Sequence, residues 1–296
     1  MRRIGKYKIN RENLLKKALK IQTEHKKFVP AGRSEKKLAE RLVSEGLLRK
    51  ENGGYRLTER GKTEAAAIIR KHRLYETYLA KRTGIDIKDW HRLAENREHH
   101  LDEATINKWE KELGFPLVDP HGDPIPDAGG QVEVIESILL NELKPRQATF
   151  YKIVHLEDEP EEIYNRLIDK GLYPGVIIRV IFNKDKWQLA FEGLEIEIPE
   201  EEARLISVKK VAVDPAYFNL IRLSSLKEGE KGKIIRLSDA LFGLTRQRLL
   251  DLGFVRNAIV SVYLKAPLRE PVAYDIKGST VALRKEQADK ILVIKL

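Results

Sequence analysis

The sequence predicts an α+β multidomain chain: a small helical head with a basic hairpin, a helical middle, and two small β-barrels. Three observations predict it. Apolar residues recur at helical spacing as far as about Leu113, interrupted by one hairpin signal. From about residue 147 the pattern changes to short β runs, and those runs contain an internal repeat. The 296 residues exceed one ordinary small domain, and a composition of 42% hydrophobic and 34% charged residues fits packed cores rather than disorder. No run approaches the roughly 18 apolar residues that span a bilayer, and no apolar signal core opens the chain. A cytoplasmic protein that does not itself insert into a membrane is expected. With no cysteine in the chain, disulfides, thiolate ligands and cysteine nucleophiles are excluded, so any metal is held by nitrogen and oxygen. The net charge of +10 permits nucleic acid or an anionic surface as a partner.

In chain order, "RENLLKKALKIQTEH" places Leu14, Leu15, Ala18, Leu19 and Ile21 at helical spacing. "RSEKKLAERLVSEGLL" is a second helix, with Ser34 as its cap, Leu38, Leu42 and Val43 as its stripe, and Gly46 at its end. "LLRKENGGYRLTERG" reads as two short strands around Asn52-Gly53-Gly54. Thr58 then caps a long helix, and further helices run to about Leu113. Helix, helix, basic hairpin, helix is the order of a winged helix. "FPLVDPHGDPIPD" is a rigid exit loop that cannot be helical, and "VEVIESILL" fits either a strand or a short helix. The implied domains are 1–62, 63–128, a linker 129–146, and barrels at 147–213 and 220–296.

The repeat supports the two barrels. "YNRLIDKGLYPGVIIRVI" at 164–181 matches "RQRLLDLGFVRNAIVSVY" at 246–263, and "LEIEIPEEEARLISV" matches "STVALRKEQADKILVI". Each copy reads as a short helix ended by glycine (Gly171, Gly253), strands, a helical turn and a closing strand.

One stretch concentrates chemistry. "HRLAENREHHLDE", residues 91–103, holds three of the seven histidines and four acidic residues. At helical spacing His91, Glu95, Glu98 and His99 share a face, as do His72 and Glu76 one helix earlier, and antiparallel helices would bring the two sets together. Such a set of imidazoles and carboxylates suits Mn²⁺, Fe²⁺, Co²⁺ or Zn²⁺. The alternative is a solvated face of exposed ion pairs. His100 falls off the stripe, and Tyr75, Tyr78, Trp90 and Trp109 read as core or dimer-interface residues.

These residues carry a resemblance. "RKHRLYETYL…WHRLAENREHHL…DPHGDPIP" resembles the metal-binding and dimerisation domain of the DtxR/MntR family of metal-dependent transcriptional regulators. The resemblance implies that His72, Glu95, Glu98 and His99 fall on ligands of a principal metal cluster, and His72, Glu76 and His91 on those of an ancillary site. Glu95 stands where some members carry cysteine, as in the manganese-responsive branch. The tail from about residue 222 to 294 is similar to the FeoA domain, an SH3-like barrel that serves as an interaction module, and the copy at about 147–212 is a diverged second one. No nucleophile elbow, phosphate loop or other catalytic motif occurs, so no enzyme is expected.

Two departures from the family matter. Members carry further ligands on the first helix, where the aligned face here offers Leu14 and Lys17; Glu12 or Glu24 could substitute only with a register shift. Between Lys26 and Ser34 there is no room for the first helix of a helix-turn-helix, so the winged helix is reduced. Arg33, Lys36, Lys37 and Arg41 on the remaining helix, and Arg49, Lys50 and Arg56 on the wing, either contact DNA phosphates or form a solvated face. The leading expectation is a homodimeric, manganese- or iron-dependent transcriptional regulator binding duplex DNA. The rival is a regulatory metal sensor for an iron or manganese transporter that no longer reads DNA.

Overall fold

The computed structural model describes residues 5–23, 28–30, 32–143, 149–183, 186–213, 220–265 and 270–296. The chain divides into two compact units, one of residues 1–80 with 85–135, the other of residues 81–84 with 136–296.

In the first unit, α1 (Lys6–Thr23) buries Leu14, Leu15 and Ala18, and α2 (Arg33–Ser44) buries Ala39 and Leu42. β1 (Leu48–Glu51) and β2 (Gly54–Leu57) pair as the expected hairpin. These elements enclose one core with Phe28, Leu47, Tyr55, Ala65 and Ile68. The end of α2 is fixed by Gly46, in the left-handed region at φ 74°. Its amide bonds to Val43 O, and Leu47 N bonds to Leu42 O, the double bond of a Schellman motif. Ser34 does not cap α2 as expected; the cap position is Gly32, and Ser34 lies inside the first turn. Phe28 pairs with Tyr55 on the edge of the hairpin. Among the described residues, α2 is the only helix between α1 and the hairpin, as the shortened sequence requires.

Helix α3 (Glu59–Arg82) begins at Thr58, whose hydroxyl accepts from Gly61 N at 3.1 Å. It is continuous across the expected boundary at 62/63, so the head and the helical middle form one unit. Two shorter helices follow, α4 (Ile87–Arg97), capped by Asp86, and α5 (Glu103–Glu112), capped by Asp102. Leu74, Leu101, Ile106, Leu113 and Ile125 form the second small core, with Tyr75, Tyr78 and Trp109 stacked at its margin.

In the second unit, β3 (Ile138–Leu139), β4 (Thr149–Leu156), α6 (Glu161–Asp169), β5 (Ile177–Asn183), β6 (Lys186–Phe191), β7 (Leu194–Ile198), α7 (Glu200–Ala203) and β8 (Ile206–Lys210) build one sheet. Its strand order is β3-β8-β4-β5-β6-β7. β9 (Ile221–Arg222), β10 (Lys231–Leu237), α8 (Gly243–Asp251), β11 (Ile259–Lys265), β12 (Val272–Ile276), β13 (Ser279–Leu283), α9 (Lys285–Ala288) and β14 (Ile291–Lys295) build the other, in the order β9-β14-β10-β11-β12-β13. The topologies coincide strand for strand, as the internal repeat predicts. The details coincide too. Both first long strands are bulged, at Ile153/His155 and Ile234/Arg236. Both helices end at a left-handed glycine, Gly171 or Gly253, with the same capping bonds. Of "VEVIESILL", Ile138 and Leu139 form β3, which pairs with β8, and Leu140 opens a 3-10 turn; the later part of the expected linker 129–146 therefore opens the first barrel.

Candidate metal centre

The centre lies between α3 and α4. Helical periodicity puts His72 and Glu76 one turn apart on the buried face of α3, and His91 enters from α4. Three donor atoms converge. His72 Nε2 is 3.0 Å from Glu76 Oε1 and 3.3 Å from His91 Nδ1, and His91 Nδ1 is 3.3 Å from Glu76 Oε1. Metal–ligand bonds of about 2.1 Å separate neighbouring donors by about 3.0 Å in an octahedron and about 3.4 Å in a tetrahedron. The separations of the trio fall within the range spanned by the ligands of one divalent ion. Two imidazoles and a carboxylate suit a first-row transition metal.

The surroundings stabilise the carboxylate. Glu76 is 1% exposed. Burial alone would raise its pKa, but His72 and His121 outweigh that and hold it well below the usual range. His121 Nε2 stands 3.5 Å from Glu76 Oε1. His121 is delivered by the proline-rich exit loop. Asp119 Oδ1 accepts from the backbone of His121 and Asp123, both at 2.9 Å, which closes the turn. Arg73 on α3 ties the loop down through Asp123. Burial, with Asp123 and Glu76 nearby, pushes the Asp119 carboxyl up to about 8.

The remaining expected ligands do not join the trio. The helix they were to share ends early: α4 stops at Arg97, and Glu98–His100 is a 3-10 turn. Each residue there advances about 120° rather than 100°, which turns Glu98 and His99 by about 20–40° from their α-helical directions. Glu98 Oε2 instead reaches the far nitrogen of His72, Nδ1, at 2.6 Å. Burial acts to raise the Glu98 pKa, but His72 and Lys16 bring it below the ordinary value. His99 Nδ1 meets Glu12 Oε2 at 2.6 Å. The Glu95 side chain is 55% exposed and meets Lys16 at 3.4 Å. His100 is exposed, as expected. The six expected ligands thus fall into a convergent trio and a second group engaged with α1. Of the α1 carboxylates, Glu12 faces the centre and Glu24 lies outside the described residues.

The sequence reading missed two groups. His121 lies 49 positions beyond His72, and only the DPHGDP turn chemistry hints that its loop is rigid. Lys16 sits four residues after Glu12, a spacing that marks a shared face but no partner.

The basic residues divide similarly. Arg33, Lys36 and Lys37 are exposed on the first turns of α2. Arg41 stacks on Tyr7 at 3.7 Å and pairs with Glu45. Lys50 pairs with Glu40 at 2.8 Å, and Arg49 and Arg56 both pair with Glu51.

Comparison with known proteins agrees with this architecture. The family described as "Iron dependent repressor, metal binding and dimerisation domain" matches residues 58–127, and the FeoA domain matches twice, at 138–210 and 221–295. The chain is 31% identical over 186 residues to the iron-dependent repressor IdeR of Mycobacterium leprae, covering 58% of this chain and 80% of that protein. It is 42% identical over 73 residues to an Fe(2+) transport protein A/FeoB fusion of Porphyromonas gingivalis, of which it spans only 8%. The structure of T. acidophilum IdeR is similar with a TM-score of 0.53 and 29% identity, over 71% of this chain and all of that one. The zinc-bound ScaR structure is similar with a TM-score of 0.56 and 26% identity, over 68% of this chain. No described helix is long and apolar enough to cross a membrane. The chain belongs to the iron-dependent repressor family of metal-dependent transcriptional regulators and carries two FeoA domains.

Proposed function

We propose that this protein is a homodimeric, metal-responsive transcriptional regulator in which His72, Glu76 and His91 hold one divalent transition ion. The observation that carries this reading is the convergence of their donor atoms to 3.0–3.3 Å of one another, within the range that the ligands of a single ion span. The nitrogen and oxygen donor set favours Mn²⁺ or Fe²⁺, with Co²⁺ and Zn²⁺ as accessible substitutes. A bound ion joins α3 to α4. Because α3 also carries the core of the head at its N-terminal half, the ion biases the placement of α2 and the hairpin through one continuous helix.

DNA is met by α2 and the wing. Arg33, Lys36 and Lys37 are exposed for phosphate contact, while Arg41, Arg49, Lys50 and Arg56 must exchange acidic partners to reach it. With no bracing helix among the described residues, the interface is dominated by phosphate contacts, and strong salt dependence follows. The dimer forms through the helices of residues 60–113, where Tyr75, Tyr78 and Trp109 stack at the margin of a small core.

A second reading has its own support. Two FeoA domains fill half the chain, and the P. gingivalis relative joins its domain to a ferrous transporter. On that reading the chain is a metal sensor for a transporter. Electrophoretic mobility and calorimetry on the full chain separate the two. Mn²⁺-dependent binding to duplex DNA that His72→Ala with Glu76→Ala abolishes supports the regulator. Metal binding with no DNA binding at low salt supports the transporter sensor. Absence of metal binding overturns both.

A further inference from the structure

The second group of expected ligands is organised around a lysine. Lys16 Nζ lies 2.9 Å from both oxygens of Glu98, 3.4 Å from Glu95 Oε1 and 3.5 Å from His72 Nδ1. The Glu98 side chain is completely buried and that of Lys16 only 19% exposed. A buried carboxylate needs compensating positive charge, and the ammonium supplies it with three N–H donors directed at oxygens. One turn earlier on the same face of α1, Glu12 closes on His99. The carboxylates that would ligate a second ion thus share a cation that is covalently part of the chain. A site built for a second divalent ion would set carboxylates and imidazoles around it, not an ammonium.

Glu98 then has a different task. His72 offers Nε2 to the trio, while its Nδ1 lies 2.6 Å from Glu98 Oε2. A proton on Nδ1 donated to Glu98 leaves the Nε2 lone pair free for a metal. This is the carboxylate–histidine arrangement that orients metal-bound imidazoles. Lys16, Glu98 and His72 form a chain that ends at the trio.

We infer that Lys16 is a built-in cation that replaces a second metal ion, so that each protomer takes one ion, at His72, Glu76 and His91, with Glu98 as a positioning residue for His72. The inference rests on the trio being the metal site. It has a consequence for regulation: α1 is anchored to the α4 corner by Lys16 and Glu12 without any ion, so metal acts only through the α3–α4 contact.

The test counts ions. Full-length protein is dialysed to equilibrium against Mn²⁺, and the bound metal per chain is measured by plasma emission, with melting temperature recorded alongside. The expected counts are one for wild type, one for Glu95→Ala and one for Lys16→Arg. Lys16→Met, which removes the charge at similar length, is expected to bind two ions and to gain more thermal stability from Mn²⁺ than wild type does. Two ions in wild type, with one lost in Glu95→Ala, overturn the inference, as does a folded Lys16→Met variant that stays at one. If Lys16→Met does not fold, the wild-type and Glu95→Ala counts decide. A wild-type count of zero overturns the metal site itself, a result distinct from either of these.

Discussion

Gly61 is the point where the small head meets α3, and alanine there should disturb the junction of the two. A Cβ at Gly61 would lie 2.0 Å from Leu47 O, 3.0 Å from Leu47 C and 3.1 Å from Leu57 Cδ2. An ordinary carbon–oxygen contact is about 3.3 Å, so the carbonyl must retreat by about 1.3 Å. It has nowhere to go. Leu47 O accepts from Thr58 N at 3.0 Å and Leu47 N donates to Leu42 O at 2.9 Å, so the residue is held from both sides. Moving it breaks a backbone hydrogen bond, worth about 1 kcal/mol. It also disturbs the Thr58 cap, worth about 1 kcal/mol. Overpacking adds roughly 1–3 kcal/mol where relaxation is incomplete. Part of this is shared, and a net loss of roughly 2–4 kcal/mol is expected, a large fraction of a typical domain's roughly 5–15 kcal/mol. Urea unfolding of apo wild type and Gly61→Ala measures it directly. The trio lies three turns further along α3, so the metal count of the folded fraction should hold while DNA affinity falls. A stability loss below about 0.5 kcal/mol would refute the reasoning, because it would show that the corner yields freely.

Three further outcomes are expected. Glu192, buried with its Oε2 accepting from Ser238 at 2.9 Å, has a pKa raised chiefly by burial. The folded state therefore holds a proton that the unfolded chain loses near its ordinary value of about 4.3, and stability falls as pH rises from there through the raised value; Glu192→Gln should flatten that slope in urea midpoints taken across this range, and parallel curves would count against it. Arg70, 3% exposed and bonded to Glu110 at 2.7 Å and Asn107 at 3.0 Å, leaves a half-buried carboxylate behind in Arg70→Ala, for which roughly 2–4 kcal/mol of destabilisation is expected by thermal or urea unfolding. Lys36→Ala with Lys37→Ala should weaken binding to every duplex alike and lower the salt slope by about two units, whereas a loss confined to one sequence would assign these lysines to base contacts.

What the sequence revealed follows physical lines. The barrels were legible because their punctuation is local and repeated: a short helix ended by a left-handed glycine, followed by a strand, is written twice. The hairpin was legible from Asn52-Gly53-Gly54 for the same reason. β3 was not, because a two-residue strand takes its identity from the β8 partner some seventy positions away. The shared face of His72 and Glu76 was legible since they are one helical turn apart on the long, periodic α3, while the grouping of His91 with these two alone followed only from the resemblance. Spacing alone put all six residues in one group, whereas Glu95, Glu98 and His99 gather around Lys16 and Glu12 of α1, beside the trio.

The α1 contribution shows where spacing arguments stop. Aligned against the family, the first helix offers Leu14 and Lys17, and the structure buries Leu14 in the head core and pairs Lys17 with Glu35. The face turned to the centre is instead Glu12 and Lys16, rotated by about half a turn from Leu14, since each residue advances about 100°. Both choices are forced together. Leu14, Leu15 and Ala18 form the apolar stripe that packs α1 into the head, so the polar residues that flank the stripe are the ones left to meet α4. Once the stripe fixes the rotation, position 16 must face Glu98, and a buried carboxylate there demands a positive charge from some source. Lysine meets that demand within the chain. The alignment with the family pointed to Leu14 and Lys17, but the geometry of the helix makes Lys16 the residue that supplies the charge.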